Sequence, residues 1–251
     1  MVERLFGLIG YPLSHSFSKK YFTDKFLQEK KGDCRYELFP IADISSFPAL
    51  LEDHTNLEGI NVTIPYKQQV IAYLDALSPE ASAVGAVNVI RRTDRGLTGY
   101  NSDVYGFGES LRKHLTPEDT HALILGTGGA SRAVTYVLQQ QGIRYRLVSR
   151  QRRADALQYH ELNREVMHQA TLIINTTPLG MAPDFSACPD IPYDLLGPGH
   201  LLFDLIYNPE KTLFLQRGQA RGSRVLNGLE MLHLQAEKSW DIWNDESCIP
   251  G

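Results

Sequence analysis

Residues 121–149 read HALILGTGGASRAVTYVLQQQGIRYRLVS. His121 to Leu125 is an apolar run with the length of a buried strand. Gly126 to Ala130 is a glycine-rich turn. Ser131 to Gln141 has helical periodicity, Gly142 ends it, and Tyr145 to Ser149 is the next strand. Strand, glycine turn and helix in that order form the setting in which a dinucleotide's phosphates are held. Gly126 permits the tight turn and Gly128 lets the backbone approach a pyrophosphate. Gly129 and Ala130 lead into a helix end whose N–H groups and dipole favour an anion. Ser131 stands where a third glycine is usual, and it is small enough for close helix–strand packing. The bland alternative is a glycine-rich turn in an α/β domain that binds no dinucleotide. The length and order of the surrounding unit weigh against it.

The following strand should end beside an adenosine ribose, where an NAD site carries an acid for the 2′-hydroxyl. Here the chain reads Ser149-Arg150-Gln151-Arg152-Arg153. Arginines in place of the acid favour a 2′-phosphate, hence NADP, over the alternative of a solvated basic turn. Arg150 directly follows the strand and is the first candidate.

Working outward, short apolar runs alternate with helical patterns. Strands are expected at Leu5 to Gly10, Arg35 to Pro40, Gly59 to Ile64, Ala86 to Arg91, Leu97 to Tyr100, Thr171 to Asn175 and Leu201 to Ile206. Helices are expected at Ser18 to Lys30, Ser45 to Glu52, Tyr66 to Leu77 and from Asp103, as a cap, to His114. A last helix runs from Asn227-Gly228 to about Asn244. This is an α/β chain of two blocks, each a parallel sheet with helices on both faces. The boundary falls near Asp103. The final helix precedes no strand of its own block and is expected to pack back onto the first.

Composition narrows the function. The 251 residues are 43% hydrophobic and 22% charged, with a formal net charge of −4. A general nucleic-acid binder would carry a basic surplus. The N-terminal MVERLFGLIG resembles a buried strand more than a leader or a membrane span. Cys34, Cys188 and Cys248 form no CxxC pair, so free thiols in a reducing, cytoplasmic compartment are expected. The eight histidines form no HExxH or HxH pair, and no metal site is expected.

The first block has its own polar clusters at expected strand ends, where open α/β sheets bind ligands. In the cluster from Gly10 to Ser18, Ser16 and Ser18 can donate hydroxyl hydrogen bonds to an anion; the competing reading is helix capping. In Asn61-Val62-Thr63-Ile64-Pro65-Tyr66-Lys67, a lysine sits unfavourably at a helix start, which raises the prospect of acid–base work. Gly85-Ala86-Val87-Asn88 and Gly99-Tyr100-Asn101-Ser102-Asp103 complete the set.

These stretches carry a resemblance to the shikimate dehydrogenase family. HSFS at 15–18, NVTIPYK at 61–67, GAVN at 85–88, NSD at 101–103 and GTGGASRA at 126–133 occur in that family's order and spacing. NTTPLGM at 175–181, DLIYNP at 204–209 and NGLEMLHLQA at 227–236 continue it over nearly the whole chain.

The resemblance implies reversible NADPH reduction of 3-dehydroshikimate to shikimate, a step of aromatic amino-acid biosynthesis. It implies an N-terminal substrate domain, residues 1–103 with 228–251, and a Rossmann-like NADP-binding domain, 104–227. Lys67 and Asp103 match the catalytic pair. Ser16 and Ser18 match the serines that hold the substrate carboxylate, and Tyr207 a tyrosine near the same group. Thr63, Asn88 and Gln235 match residues on the ring hydroxyls and the carboxylate end. Gly126, Gly128, Gly129, Ala130, Ser149, Arg150 and Arg153 fall on the cofactor segments. Thr176, Gly228 and Met231 fall on segments bordering the nicotinamide.

The only partners expected are small molecules, with neither nucleic acid nor membrane; monomer and homodimer both fit. The sequence departs from the family at Lys19, usually proline, at Ser102 within the usual Asn-Thr-Asp, and at Ser149-Arg150-Gln151, usually Asn-Arg-Thr. Glu230 replaces a glycine. Rival readings are a quinate/shikimate dehydrogenase preferring quinate or NAD, a non-catalytic ligand-sensing paralogue, and a methylene-tetrahydrofolate-type dehydrogenase of the same broad plan.

Overall fold

A computed structural model describes residues 3–13 and 16–244. His15 and Cys248, named above, lie outside the described residues, as does Ser14 within the Gly10 to Ser18 cluster. The chain forms two compact units. One comprises the described residues up to Ser102 with those from Ala236 onward; the other is Asp103–Gln235.

The first unit contains β1 (Arg4–Gly10), α1 (Phe17–Gln28), β2 (Cys34–Pro40), α2 (Phe47–Asp53), β3 (Leu57–Val62), β4 (Ala76–Leu77), α3 (Pro79–Val84), β5 (Val89–Thr93) and β6 (Gly96–Tyr100). Their order in the sheet is β2-β1-β3-β5-β6-β4. It is a mixed sheet and not the expected parallel one: β5 runs antiparallel to both β3 and β6. The cause is local, because β5 and β6 are joined by the turn at Asp94-Arg95, and a hairpin can only pair antiparallel.

The helix expected from Tyr66 to Leu77 is also corrected. The segment forms a short 3-10 turn, Gln69–Tyr73, and then β4. Its backbone groups are claimed by other elements. The Val87 N–H donates to the Lys67 carbonyl at 2.7 Å, and the Asp75 N–H to the Leu97 carbonyl at 2.9 Å. Tertiary pairing thereby overrides a helical period that still buries Tyr66 and Val70.

The second unit contains β7 (His121–Leu125), α5 (Gly129–Gln140), β8 (Arg144–Ser149), β9 (Ala156–Gln158), α6 (Arg164–Gln169), β10 (Leu172–Asn175), β11 (Leu201–Asp204), α7 (Leu213–Gln219) and β12 (Arg224–Leu226). All are parallel, in the order β12-β11-β10-β7-β8-β9. This is the doubly wound order, whose reversal lies between β7 and β10. Ala122, Ile124, Leu172 and Ile174 feed one core, and Leu123, Leu125, Ile173 and Leu202 the other. Strands buried on both faces read as unbroken apolar runs, which is why they are legible in sequence.

Two helices carry residues of both units. In α4 (Ser102–Arg112), Asp103 lies in the first turn and does not cap it, since the helix begins one residue earlier than expected. The final helix, α8 (Leu229–Asn244), returns to the first unit. There Trp240 and Trp243 join Phe6, Phe22, Phe26 and Tyr36 in an aromatic core. Gly59 lies under the Trp243 ring, 2.5 Å from where its Cβ would be, so any side chain there would displace the tryptophan. No helix among the described residues is long and apolar enough to cross a membrane. No group of His, Cys, Asp and Glu among them is placed to hold a metal ion.

Candidate active site

At the reversal point of the second sheet lies a cleft of about 630 Å³. Gly126, Gly128, Ser149, Arg150 and Thr176 line it, as do Thr127, Gln151, Tyr159, Thr177, Pro178 and Leu179. Gly126 has φ +109°, a conformation closed to most side chains, and its Cβ would stand 2.8 Å from Thr176 Oγ1. The Thr176 hydroxyl donates to the Leu125 carbonyl at 2.8 Å, tying the two strand ends together. Gly128 is the N-cap of α5, and a Cβ on Gly128 or Gly129 would enter open space. Such a loop leaves room for a large anion against backbone N–H groups at a helix end. Gly129 and Ala130 are the first residues of that helix, which starts two residues earlier than the sequence suggests. Ser131 is buried and donates to the Gly128 carbonyl at 2.6 Å, fixing the turn.

The arginines divide. Arg150 is exposed at the end of β8 and lines the cleft, while Ser149 Oγ accepts from the Gln151 N–H at 3.1 Å. Arg153 instead forms a forked pair with Asp155, at 2.9 and 3.0 Å. With Arg152 it lines a separate hollow beside β9. The structure therefore does not bring Arg153 to the cofactor cleft.

Behind the cleft lies a buried carboxylate that sequence reading missed. Asp204, fully buried, accepts from Asn175 Nδ2 at 3.0 Å, the Ile206 N–H at 3.1 Å and Thr212 Oγ1 at 2.5 Å. Asn175 in turn accepts from the Thr177 N–H and hydroxyl at 3.0 and 2.7 Å. One acid thus holds the ends of β10 and β11 and the start of α7. Burial pushes the Asp204 carboxyl up to about 6, against the pull of those three donors.

The folded chain therefore keeps this proton to higher pH than the unfolded chain does. The associated stability is complete below the unfolded carboxylate range and is lost as pH rises through about 6. We expect Asp204→Asn to abolish this loss, on the order of 2–3 kcal/mol. Paired melts of wild type and variant should then converge or diverge steadily across that window. Curves that stay parallel would contradict the assignment.

The substrate-side residues are distributed as follows. Ser16 is the N-cap residue of α1, yet its hydroxyl makes no capping bond. Ser18 is half-buried in the first turn of α1. Thr63 is half-buried at the end of β3, where its N–H donates to the Ile9 carbonyl at 3.0 Å. Asn88 is buried, donates to Ser102 Oγ at 3.0 Å and accepts from the Ser102 N–H at 2.7 Å. Lys67 is half-buried in the same unit.

Asp103, Tyr207 and Gln235 belong to the second unit, Asp103 buried and the other two half-buried. Gly106 of α4 faces the Met231 carbonyl and Gln235, and its Cβ would lie 2.6 Å from that oxygen. Met231 itself is buried in core, and Gly228 packs against Leu205. Glu230 turns onto α4. It accepts from Lys113 Nζ at 2.5 Å and Ser110 Oγ at 3.3 Å, and the Lys113 bond holds its carboxyl below the usual range.

Residues 8–90 match the family model described as the shikimate dehydrogenase substrate binding domain. A shikimate dehydrogenase (NADP(+)) of Clostridium beijerinckii is 40% identical, over 96% of this chain and 92% of its own length. The chain belongs to the shikimate dehydrogenase family. Among solved members of that family, the Thermus thermophilus enzyme in complex with NADP(H) and shikimate superposes with a TM-score of 0.84 at 30% identity, covering 96% of this chain and 93% of that one. The Listeria monocytogenes enzyme in complex with shikimate and NAD gives 0.86 at 27% identity, covering 97% and 92%.

Proposed function

We propose that this protein catalyses the reversible reduction of 3-dehydroshikimate to shikimate with NADPH. The observation that carries the reading is the full-length relationship to shikimate dehydrogenases in a chain that retains both Lys67 and Asp103. The substrate domain is assigned to 1–103 with 228–251, and the cofactor domain to 104–227. The open face at Gly128 and Gly129 fits a pyrophosphate, and the exposed Arg150 fits a 2′-phosphate in fork geometry. Ser149 shapes the turn that presents Arg150, and Thr176 borders the nicotinamide. When bound, the dinucleotide supplies the hydride.

The protein's own residues handle binding and the proton. Reduction of a ketone leaves an alkoxide unless a proton arrives. Lys67 donates that proton and accepts it in the reverse direction, and Asp103 orients the ring hydroxyls. Ser16 and Ser18 receive the carboxylate, with Tyr207 and Gln235 near it, and Thr63 and Asn88 receive hydroxyls. The Ser16 hydroxyl, not spent on its helix, is consistent with that use.

Initial rates with shikimate or quinate, each with NADP or NAD, test the reading. Shikimate with NADP should be fastest, and Arg150→Ala should raise the KM for NADPH far more than that for NADH. Quinate with NAD as the faster pair would favour the quinate/shikimate dehydrogenase alternative. Equal effects of Arg150→Ala on the two cofactors would remove its assignment.

A further inference from the structure

The chain passes from β8 to β9 through residues 150–155 alone. Parallel strands are ordinarily joined by about a dozen residues or more, most often through a helix. Here the chain turns back at once. Arg153 makes an isolated bridge to Ala156, and its side chain forks onto Asp155. Arg152 and Arg153 therefore line the hollow beside β9 and not the cofactor cleft. Arg150 is left as the one charged side chain among the described residues that line the cleft. A phosphate monoester has three acceptor oxygens, and one guanidinium fork meets two of them. A 2′-phosphate beside Arg150 thus has room for a further donor.

Tyr159 stands where that donor is needed. Ser149 of β8 pairs with Gln158 of β9, so Arg150 and Tyr159 each lie one residue past the paired ends of neighbouring strands. Both line the cleft. Tyr159 is half-buried and packs against the core that contains Leu125, Val148 and Leu162. It opens a 3-10 turn, Tyr159–Glu161. The Gln158 N–H donates to Glu161 Oε2 at 2.6 Å and the Leu162 N–H to the Tyr159 carbonyl at 3.2 Å, so the turn is held at both ends. The Tyr159 hydroxyl bonds no other described residue. No side-chain oxygen or nitrogen among the described residues is both sealed from solvent and unpartnered. This hydroxyl, on a residue bordering the cleft, is therefore open to solvent. Burial pushes the phenol up, against the opposing pull of Arg150, which keeps its proton available to donate.

We propose that the Tyr159 hydroxyl is a second donor to the 2′-phosphate of NADP, in the place that Arg153 leaves, and that it helps to set the preference for NADP over NAD. This rests on the reading that Arg150 meets that phosphate. The bond is charge-assisted, and it has no counterpart in NAD, whose ribose carries a hydroxyl there. The competing use of the ring, as a stacking platform for adenine, serves both cofactors equally.

The test is binding without turnover. Adenosine 2′,5′-bisphosphate and 5′-AMP differ only in the phosphate at issue, and each is titrated calorimetrically into wild type, Tyr159→Phe and Arg153→Ala. Tyr159→Phe keeps the ring and, since the hydroxyl bonds no protein group, leaves the fold's own contacts in place. It should weaken the bisphosphate about tenfold and leave 5′-AMP unchanged; NADPH should weaken with the bisphosphate. Arg153→Ala should leave both ligands unchanged. Unaltered affinity for the bisphosphate in Tyr159→Phe, or equal weakening of the two ligands, would overturn the role of the hydroxyl. A selective loss of the bisphosphate in Arg153→Ala would return the second contact to Arg153. Wild type that binds the bisphosphate no more tightly than 5′-AMP would instead overturn the assignment of Arg150 beneath the proposal.

Discussion

Lys67→Ala lowers kcat for shikimate oxidation by roughly 10²–10⁴, the usual worth of a positioned general acid–base group. The substrate KM should move far less, because serines, threonine and asparagine share the binding. The loss would be chemical and not structural. Lys67 follows Tyr66, which is buried and donates from its hydroxyl to the Ile41 carbonyl at 2.7 Å. The Lys67 carbonyl accepts from the Val87 N–H at 2.7 Å, and alanine keeps that bond. The Lys67→Arg variant separates two roles. Arginine retains positive charge but does not give up its proton. If Lys67 only stabilised developing charge, Lys67→Arg would recover much of the rate; as a proton donor it is not replaced. Steady-state rates with saturating cofactor decide this, and wild-type turnover in Lys67→Ala would exclude the residue from the chemistry.

Gly228→Ala destabilises the second unit by about 3 kcal/mol, a fall in Tm of roughly 6–12 °C. A Cβ on Gly228 would lie 2.1 Å from the Leu205 carbonyl oxygen and 2.6 Å from its carbon. Both are backbone atoms, so no rotamer change relieves the clash. Gly228 is not among the glycines of positive φ, so the effect is one of close approach and not of backbone conformation. Its N–H also donates to the Ile206 carbonyl at 3.0 Å, and its own carbonyl accepts from the Leu232 N–H at 2.9 Å at the start of α8. The methyl group must therefore part α8 from the segment leading to Tyr207. A thermal melt within a degree or two of wild type would show that this approach is not as close as described.

Legibility in the sequence followed the physics of burial. The parallel strands of the second unit are buried on both faces, so Leu123-Ile124-Leu125 and Ile173-Ile174 stand out as apolar runs, and the glycine turn between β7 and α5 carries its own signature. In the first unit the turn residues Asp94-Arg95-Gly96 mark a hairpin, and its antiparallel pairing breaks the parallel pattern that alternating strands and helices suggest. Strands of two or three residues, β4, β9 and β12, leave too short a period to recognise.

Tyr66 to Leu77 has a helical pattern, but hydrogen bonds from Val87 and to Leu97 decide its backbone, and those partners lie about twenty residues away in sequence. At the candidate site, residue identity was readable and side-chain commitment was not. Arg153 turned out to be paired two residues on with Asp155, and Glu230 with Lys113 across two helices. The Asp204 network joins residues that no local spacing connects.

The most direct test of the account is the reduction itself. Purified protein is mixed with 3-dehydroshikimate and NADPH, and the loss of NADPH absorbance is followed together with the shikimate formed. The account predicts that the two match mole for mole. NADPH that binds but is not consumed in the presence of 3-dehydroshikimate would contradict it.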